Sequence, residues 1–120
     1  MTKIVFYKTG DIFWGFEEQG HTGFGESGED VLCAAISSMT MLIINSIELA
    51  YESDADYSID EKTTDIKLIA RAALPEYEED ERKRYAISGL LKAYYYQLND
   101  LVEEYYDYLE VDVKEKDIID

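Results

Sequence analysis

The sequence predicts an α+β fold: one two-layer domain, ordered ββαββαβ, with a mostly antiparallel sheet and two helices. Three observations lead there. Two β-branched and aromatic segments flank a Gly-Asp turn near the start. Two longer stretches have helical length, one apolar and one amphipathic. Short strand-like segments stand between and after them.

Residues 3–8 and 12–18 read as a β-hairpin around Gly10-Asp11. Ile4 and Phe6 share one face of their strand, and Ile12, Trp14 and Phe16 share one face of theirs. Val5, Tyr7 and Phe13 make the other face partly apolar. A sheet apolar on both faces is expected to be covered on both, by helices or by another subunit. Residues 19–29 hold four of the seven glycines and read as a loop with positive-φ positions. A helix is expected from near Asp30 to about Tyr51, with Asp30 or Ser27 as its N-cap. Its first half is apolar nearly all round, which predicts a central, doubly covered element. Residues 56–60 and 64–71 read as a second hairpin, with Asp60-Glu61 at the turn. Leu74 to Asp80 is an acidic connector holding the only proline, Pro75. From Glu81 to Tyr106, Ile87, Leu90, Leu91, Tyr94, Leu98, Leu101, Val102 and Tyr105 follow i, i+3/i+4 spacing, so a second helix is predicted. Residues 108–113 alternate as a last strand, and 115–120 are expected to fray. No internal repeat and no second domain is seen, so residues 1–120 form a single domain.

The 120 residues suffice for one core, and 47% of them are apolar. The net charge of -16 argues against direct nucleic-acid binding, which needs a basic surface, and against docking on an anionic membrane. It suits either attraction of a basic partner or plain solubility. One cysteine cannot form an internal disulfide, so the cytoplasm is the expected compartment. Residues 1–10 have too short an apolar run for a signal peptide. The most apolar stretch, 31–44, is shorter than a bilayer span and contains Ser37, Ser38 and Thr40.

The only histidine, His21, and the only cysteine, Cys33, lie twelve positions apart. Together they supply a general base and a nucleophile, the minimum equipment of a cysteine hydrolase. A thiol three residues into a helix lies near unpaired N–H groups and the positive dipole end, both of which favour thiolate. Glu29 and Asp30 oppose that effect. The competing reading makes Cys33 a small buried hydrophobe and His21 a loop residue with no task. Zinc is not expected, because a structural site needs four ligands. The run Gly23-Phe24-Gly25-Glu26-Ser27-Gly28 lacks the Gly-Lys-Ser/Thr of a phosphate loop. Ser37, one turn after Cys33, either hydrogen-bonds near the site or back-bonds to the Cys33 carbonyl.

At Gly20-His21, followed by Gly28-Glu29-Asp30-Val31-Leu32-Cys33-Ala34-Ala35-Ile36-Ser37, the chain resembles the ribosomal-processing cysteine protease family, often called Prp. The N-terminal hairpin and the ending Tyr106-Asp107-Tyr108-Leu109-Glu110-Val111 extend the resemblance over most of the chain. The departures are the acidic, tyrosine-rich second helix and its lead-in. The resemblance implies removal of a short N-terminal extension from large-subunit ribosomal protein twenty-seven, a basic substrate. It implies that Cys33 is the nucleophile and His21 the general base. It also implies an aromatic residue just before the cut and a homodimer. Gly20, Gly23, Gly25, Gly28, Asp30 and Ser37 complete the candidate site as loop and substrate-binding positions. The glycine-rich loop is a candidate gate over an extended peptide. No third catalytic residue can be named, and no cofactor or metal is expected. The alternative from a different class is a non-catalytic acidic module that binds a basic ribosomal or ribosome-assembly protein.

Overall fold

The structure, a computed structural model, describes residues 1–20, 27–63 and 65–118, with the backbone alone for 27–30. Strands β1 (Thr2–Thr9) and β2 (Ile12–Gln19) form the first hairpin. Helix α1 (Ser27–Asn45) follows and ends in a π-helical turn, Ser46–Ala50. Strands β3 (Asp56–Ile59) and β4 (Ile66–Ile69) come next, then a 3₁₀ turn at Arg71–Ala73. Helix α2 (Glu81–Tyr105) and strand β5 (Leu109–Glu115) complete the chain. This is the predicted ββαββαβ order. The five strands are arranged β3-β4-β2-β1-β5. All pairs are antiparallel except β1 with β5, which run parallel because α2 intervenes in the crossover.

Local chemistry accounts for the ends of these elements. Gly10 takes φ +60 in the first turn. The Asp60 carboxylate accepts the N–H groups of Lys62 (2.8 Å) and Thr63 (3.1 Å), which closes the second. Asp80 caps α2 by accepting the Arg82 N–H at 2.9 Å.

The first hairpin departs from simple alternation. Tyr7 pairs with Gly15 and Lys8 with Phe13, so Trp14 is an extra, bulged residue. The insertion reverses the faces beyond it. Trp14 leaves the face of Phe16 and stacks on Tyr7, with ring centroids 5.5 Å apart. Phe13 turns instead to the helix side, against Phe6 and Tyr95.

Both helices pack together, and α2 lies against β2 and β5. The core between sheet and helices holds Ile4, Phe6, Phe16, Leu68, Ile36, Ile44, Ile87, Leu91 and Leu98, all fully buried. Among the described residues, both helices lie on one face of the sheet, as the two-layer reading has it, and no helix covers the other. It carries the ion pairs Lys3–Glu110 and Lys67–Glu17. Among the described residues, its Tyr7–Trp14 corner is closed by the segment after β5. There the Trp14 Nε1–H donates to the Lys116 carbonyl (3.2 Å), and the Lys116 ammonium sits 4.7 Å from the Tyr7 ring centre. That segment therefore does not fray from residue 115, and Ile118 packs against the core.

Among the described residues, one side of α1 is left uncovered. Val31, Leu42 and Leu49 are 60%, 60% and 74% exposed. The stretch Val31–Ala50 is long and apolar enough to cross a membrane, yet Ile36, Ile43, Ile44 and Ile47 on its other side are core residues.

One polar junction joins the layers. Glu18 on β2 is fully buried. Its Oε1 accepts the Thr40 hydroxyl from α1 at 2.6 Å and the Tyr94 phenol from α2 at 2.8 Å. The two hydroxyl oxygens are themselves 2.9 Å apart. The Phe6 and Phe16 rings pack on Tyr94 at 5.7 and 5.5 Å. Burial, then the Glu18 carboxylate, pushes the Tyr94 phenol far above its ordinary range.

That shift predicts an alkaline weakness. The folded pKa of Tyr94 is raised, so its contribution to stability is complete below the unfolded value near pH 10 and is lost as pH climbs above it. Tyr94→Phe should cost about 1–3 kcal/mol at neutral pH, by leaving a buried acceptor short of a donor. Above about pH 10 it should flatten the fall in stability, which one tyrosine steepens by up to about 1.4 kcal/mol per pH unit. Urea unfolding across that range checks this; parallel pH slopes for both proteins would exclude Tyr94 as the source.

Candidate active site

Cys33 lies on α1 and is half-buried. The helix starts at Ser27, so Cys33 is not three residues in but nearly two turns in. Asp30 stands inside the first turn and Ser27 is itself helical, so neither is the N-cap. The correction matters chemically. Only the first four N–H groups of a helix lack a partner, and the dipole effect fades within the first turn. The helix start is about 9 Å from Cys33 at 1.5 Å per residue. Thiolate stabilisation by the dipole loses its basis.

Helical spacing places positions 30, 33 and 37 along one face, at i−3, i and i+4. Asp30 and Ser37 thus flank Cys33 by a turn on either side. Ser37 is exposed. Gly28 belongs to the first turn of α1. His21, Gly23 and Gly25, and with them the expected gate, lie outside the described residues.

Gly20 closes β2 with φ +79, and its N–H donates to Asp65 Oδ1 at 3.2 Å. A Cβ at this position would run into the Met1 carbonyl oxygen. Glycine is required here by backbone geometry, two positions beyond Glu18. The end of β2 borders an acidic cleft of about 190 Å³ lined by Glu17, Glu18, Gln19, Asp60, Asp65 and Lys67. A second cavity, of about 410 Å³, lies beyond the other end of α1. Its wall includes Glu52, Asp54, Asp56, Arg71 and Tyr77, with Arg71 paired to Asp56 at 2.8 Å. None of its lining residues belongs to the turn carrying Cys33.

Sequence reasoning overlooked the junction of Glu18, Thr40 and Tyr94. The signal was present. Glu18 shares strand parity with Phe16, so alternation puts a carboxylate on the core face. Thr40 lies seven residues after Cys33, on the same side of the helix.

Comparison with known proteins gives a consistent result. The family model described as cysteine protease Prp matches residues 1–110. Among curated proteins there is no match. The fold is similar to that of SMU.848 from Streptococcus mutans, with TM-score 0.79 and 22% identity, covering 97% of this chain and 99% of that one. It is also similar to the essential ribosomal processing protease Prp from Staphylococcus aureus in complex with a substrate peptide. There the TM-score is 0.74 and the identity 16%, covering 95% of this chain and 100% of the other. The S. aureus protein in complex with a covalently linked product peptide gives 0.71 and 17%, with the same coverage. These likenesses establish the fold. The family match takes in both helices and four complete strands, and by it the chain belongs to the Prp family of cysteine proteases.

Proposed function

We propose that this protease is a ribosomal-processing endopeptidase that removes the N-terminal extension of large-subunit ribosomal protein twenty-seven. The observation that carries the reading is the family match over residues 1–110, within which the only thiol of the chain stands on a partly accessible helix face. The similar S. aureus protein is a ribosomal processing protease and is found with a covalently linked product peptide, which fits covalent thiol catalysis. Cys33 is the nucleophile and His21 the general base. His21 takes the Cys33 proton as sulfur bonds to the scissile carbonyl carbon. It then gives that proton to the leaving amine as the C–N bond breaks. Water, deprotonated by His21, attacks the thioester, and the carboxylate product and the thiol are released. Asp30, Ser37 and the loop glycines serve substrate placement. A reducing cytoplasm keeps the thiol available.

Cys33→Ala should abolish cleavage of the extension peptide while the protein stays folded, since alanine suits a helix. His21→Ala should lower kcat by about 10²–10⁴-fold. Mass spectrometry of the products checks both, and turnover that survives loss of the thiol would end the assignment.

The partner proposed for the outer side of α1 is a second copy of the chain. Val31 and Leu42 fall within about 20° of one line along α1, given 3.6 residues per turn, and exposed Leu49 follows in the π-helical turn. An apolar stripe this exposed is the mark of a protein–protein contact. A dimer is expected by light scattering, and Leu42→Glu should give monomer; a wild-type monomer at micromolar concentration would remove this interface.

Charge supplies the last expectation. With 27 acidic and 11 basic residues, the enzyme attracts a basic ribosomal protein at long range. The Debye length shrinks from about 10 Å at 0.1 M salt to about 3 Å at 1 M. Hence kcat/KM for the whole basic substrate should fall with salt while kcat stays flat, and a short neutral peptide should be nearly indifferent. Identical salt profiles for the two substrates would limit the acidity to solubility.

A further inference from the structure

The buried junction of Glu18, Thr40 and Tyr94 is more than a structural contact. We propose that the Thr40–Glu18 hydrogen bond is a positioning device: it sets the rotation and axial placement of α1, and so the place of Cys33 relative to the end of β2. The proposal rests on the reading of Cys33 as nucleophile.

The geometry carries it. Thr40 and Cys33 are seven residues apart, about 10 Å along the axis and on the same helical face. A small turn or slide of α1 at Thr40 therefore reappears at the sulfur. Apolar packing alone resists such a shift weakly, because hydrophobic contact is non-directional. Among the described residues, Val31 and Leu42 on the outer side of α1 stay exposed. A hydrogen bond of 2.6 Å to a carboxylate has both length and direction to hold. The acceptor sits on β2, two positions before the backbone-constrained Gly20. So the bond connects the helix that bears the thiol to the strand that leads towards His21 in sequence.

A carboxylate in this core is also an expensive way to obtain cohesion. An apolar trio of similar shape would serve stability as well or better. Thr40 and Tyr94 are 1% and 4% exposed, and Glu18 is fully buried. The Thr40 and Tyr94 side chains therefore act on the site through the elements that carry them rather than by touching a peptide.

The two hydroxyls supply the control. Both donate to the same Oε1, but Thr40 belongs to α1 and Tyr94 to α2. A merely structural junction makes the two donors equivalent. A positioning bond does not.

The experiment compares Thr40→Val, Tyr94→Phe, Thr40→Ser and Glu18→Gln in otherwise intact protein. It measures thermal stability, together with kcat and KM on the extension peptide. Thr40→Val and Tyr94→Phe should lose similar stability. In Thr40→Val, kcat should drop about tenfold to a hundredfold, as for a small misplacement remote from the chemistry, with KM nearly unchanged. Tyr94→Phe should keep kcat within about threefold, as should Thr40→Ser, which restores the donor, and Glu18→Gln, which keeps an acceptor oxygen. Equal kcat losses in Thr40→Val and Tyr94→Phe, or none in either, would overturn the positioning role. A Glu18→Gln loss as large as that of Thr40→Val would do so too, by assigning the effect to charge. If Thr40→Val does not fold, Thr40→Ala is held to the same outcomes. Failure of the underlying reading looks different: Cys33→Ala would still cleave.

Discussion

A carboxylate sealed inside a small core constrains everything around it. Glu18 has no water to solvate it, so hydrogen-bond donors must come to it, and the Thr40 and Tyr94 hydroxyls do. Those donors lie on two different helices. Meeting the needs of one side chain therefore brings sheet, α1 and α2 to a single point. The aromatic rings of Phe6 and Phe16 close over the junction and keep the local dielectric low, which strengthens each bond and raises the cost of losing one.

The thiol chemistry looks different once α1 is measured from its true start. A cysteine in the first turn of a helix gains a stabilised thiolate from the helix itself. Cys33 lies too far along for that. Under the proposed dyad, its activation falls to a partner base, the sole imidazole of the chain. The face shared by positions 30, 33 and 37 explains why the signature is spaced as it is. Its acidic and hydroxyl members are helical neighbours of the thiol, a turn before it and a turn after.

The two layers are unequal. Among the described residues, the buried polar side chains of the sheet are Glu18 and Thr2, whereas its other side carries ion pairs and is sealed where Lys116 crosses Trp14 and Tyr7. Exposed aliphatic side chains stand on the outside of α1, at Val31, Met41 and Leu42, and at Leu49 in the turn after it.

Residue order alone determined the succession of strands and helices. Turn chemistry at Gly10 and Asp60, the helical period of Ile87 to Tyr105 and the alternation of Leu109, Val111 and Val113 are local properties that each segment carries with it. The signature around Cys33 was legible for the same reason, as a contiguous string. What remained hidden was non-local. The bulge that sends Trp14 to the far face depends on how β1 pairs with β2, and the parallel β1–β5 pair depends on where α2 delivers the chain. The start of α1 at Ser27, ahead of the apolar run, carries no periodic signal to mark it. The exposed stripe of α1 could not be told from a buried one, because apolar composition records hydrophobicity and not what stands opposite. Above all, Glu18, Thr40 and Tyr94 are 22 and 54 positions apart along the chain. Only tertiary structure brings them within hydrogen-bond reach, because a buried charge selects its partners by proximity in space rather than in sequence.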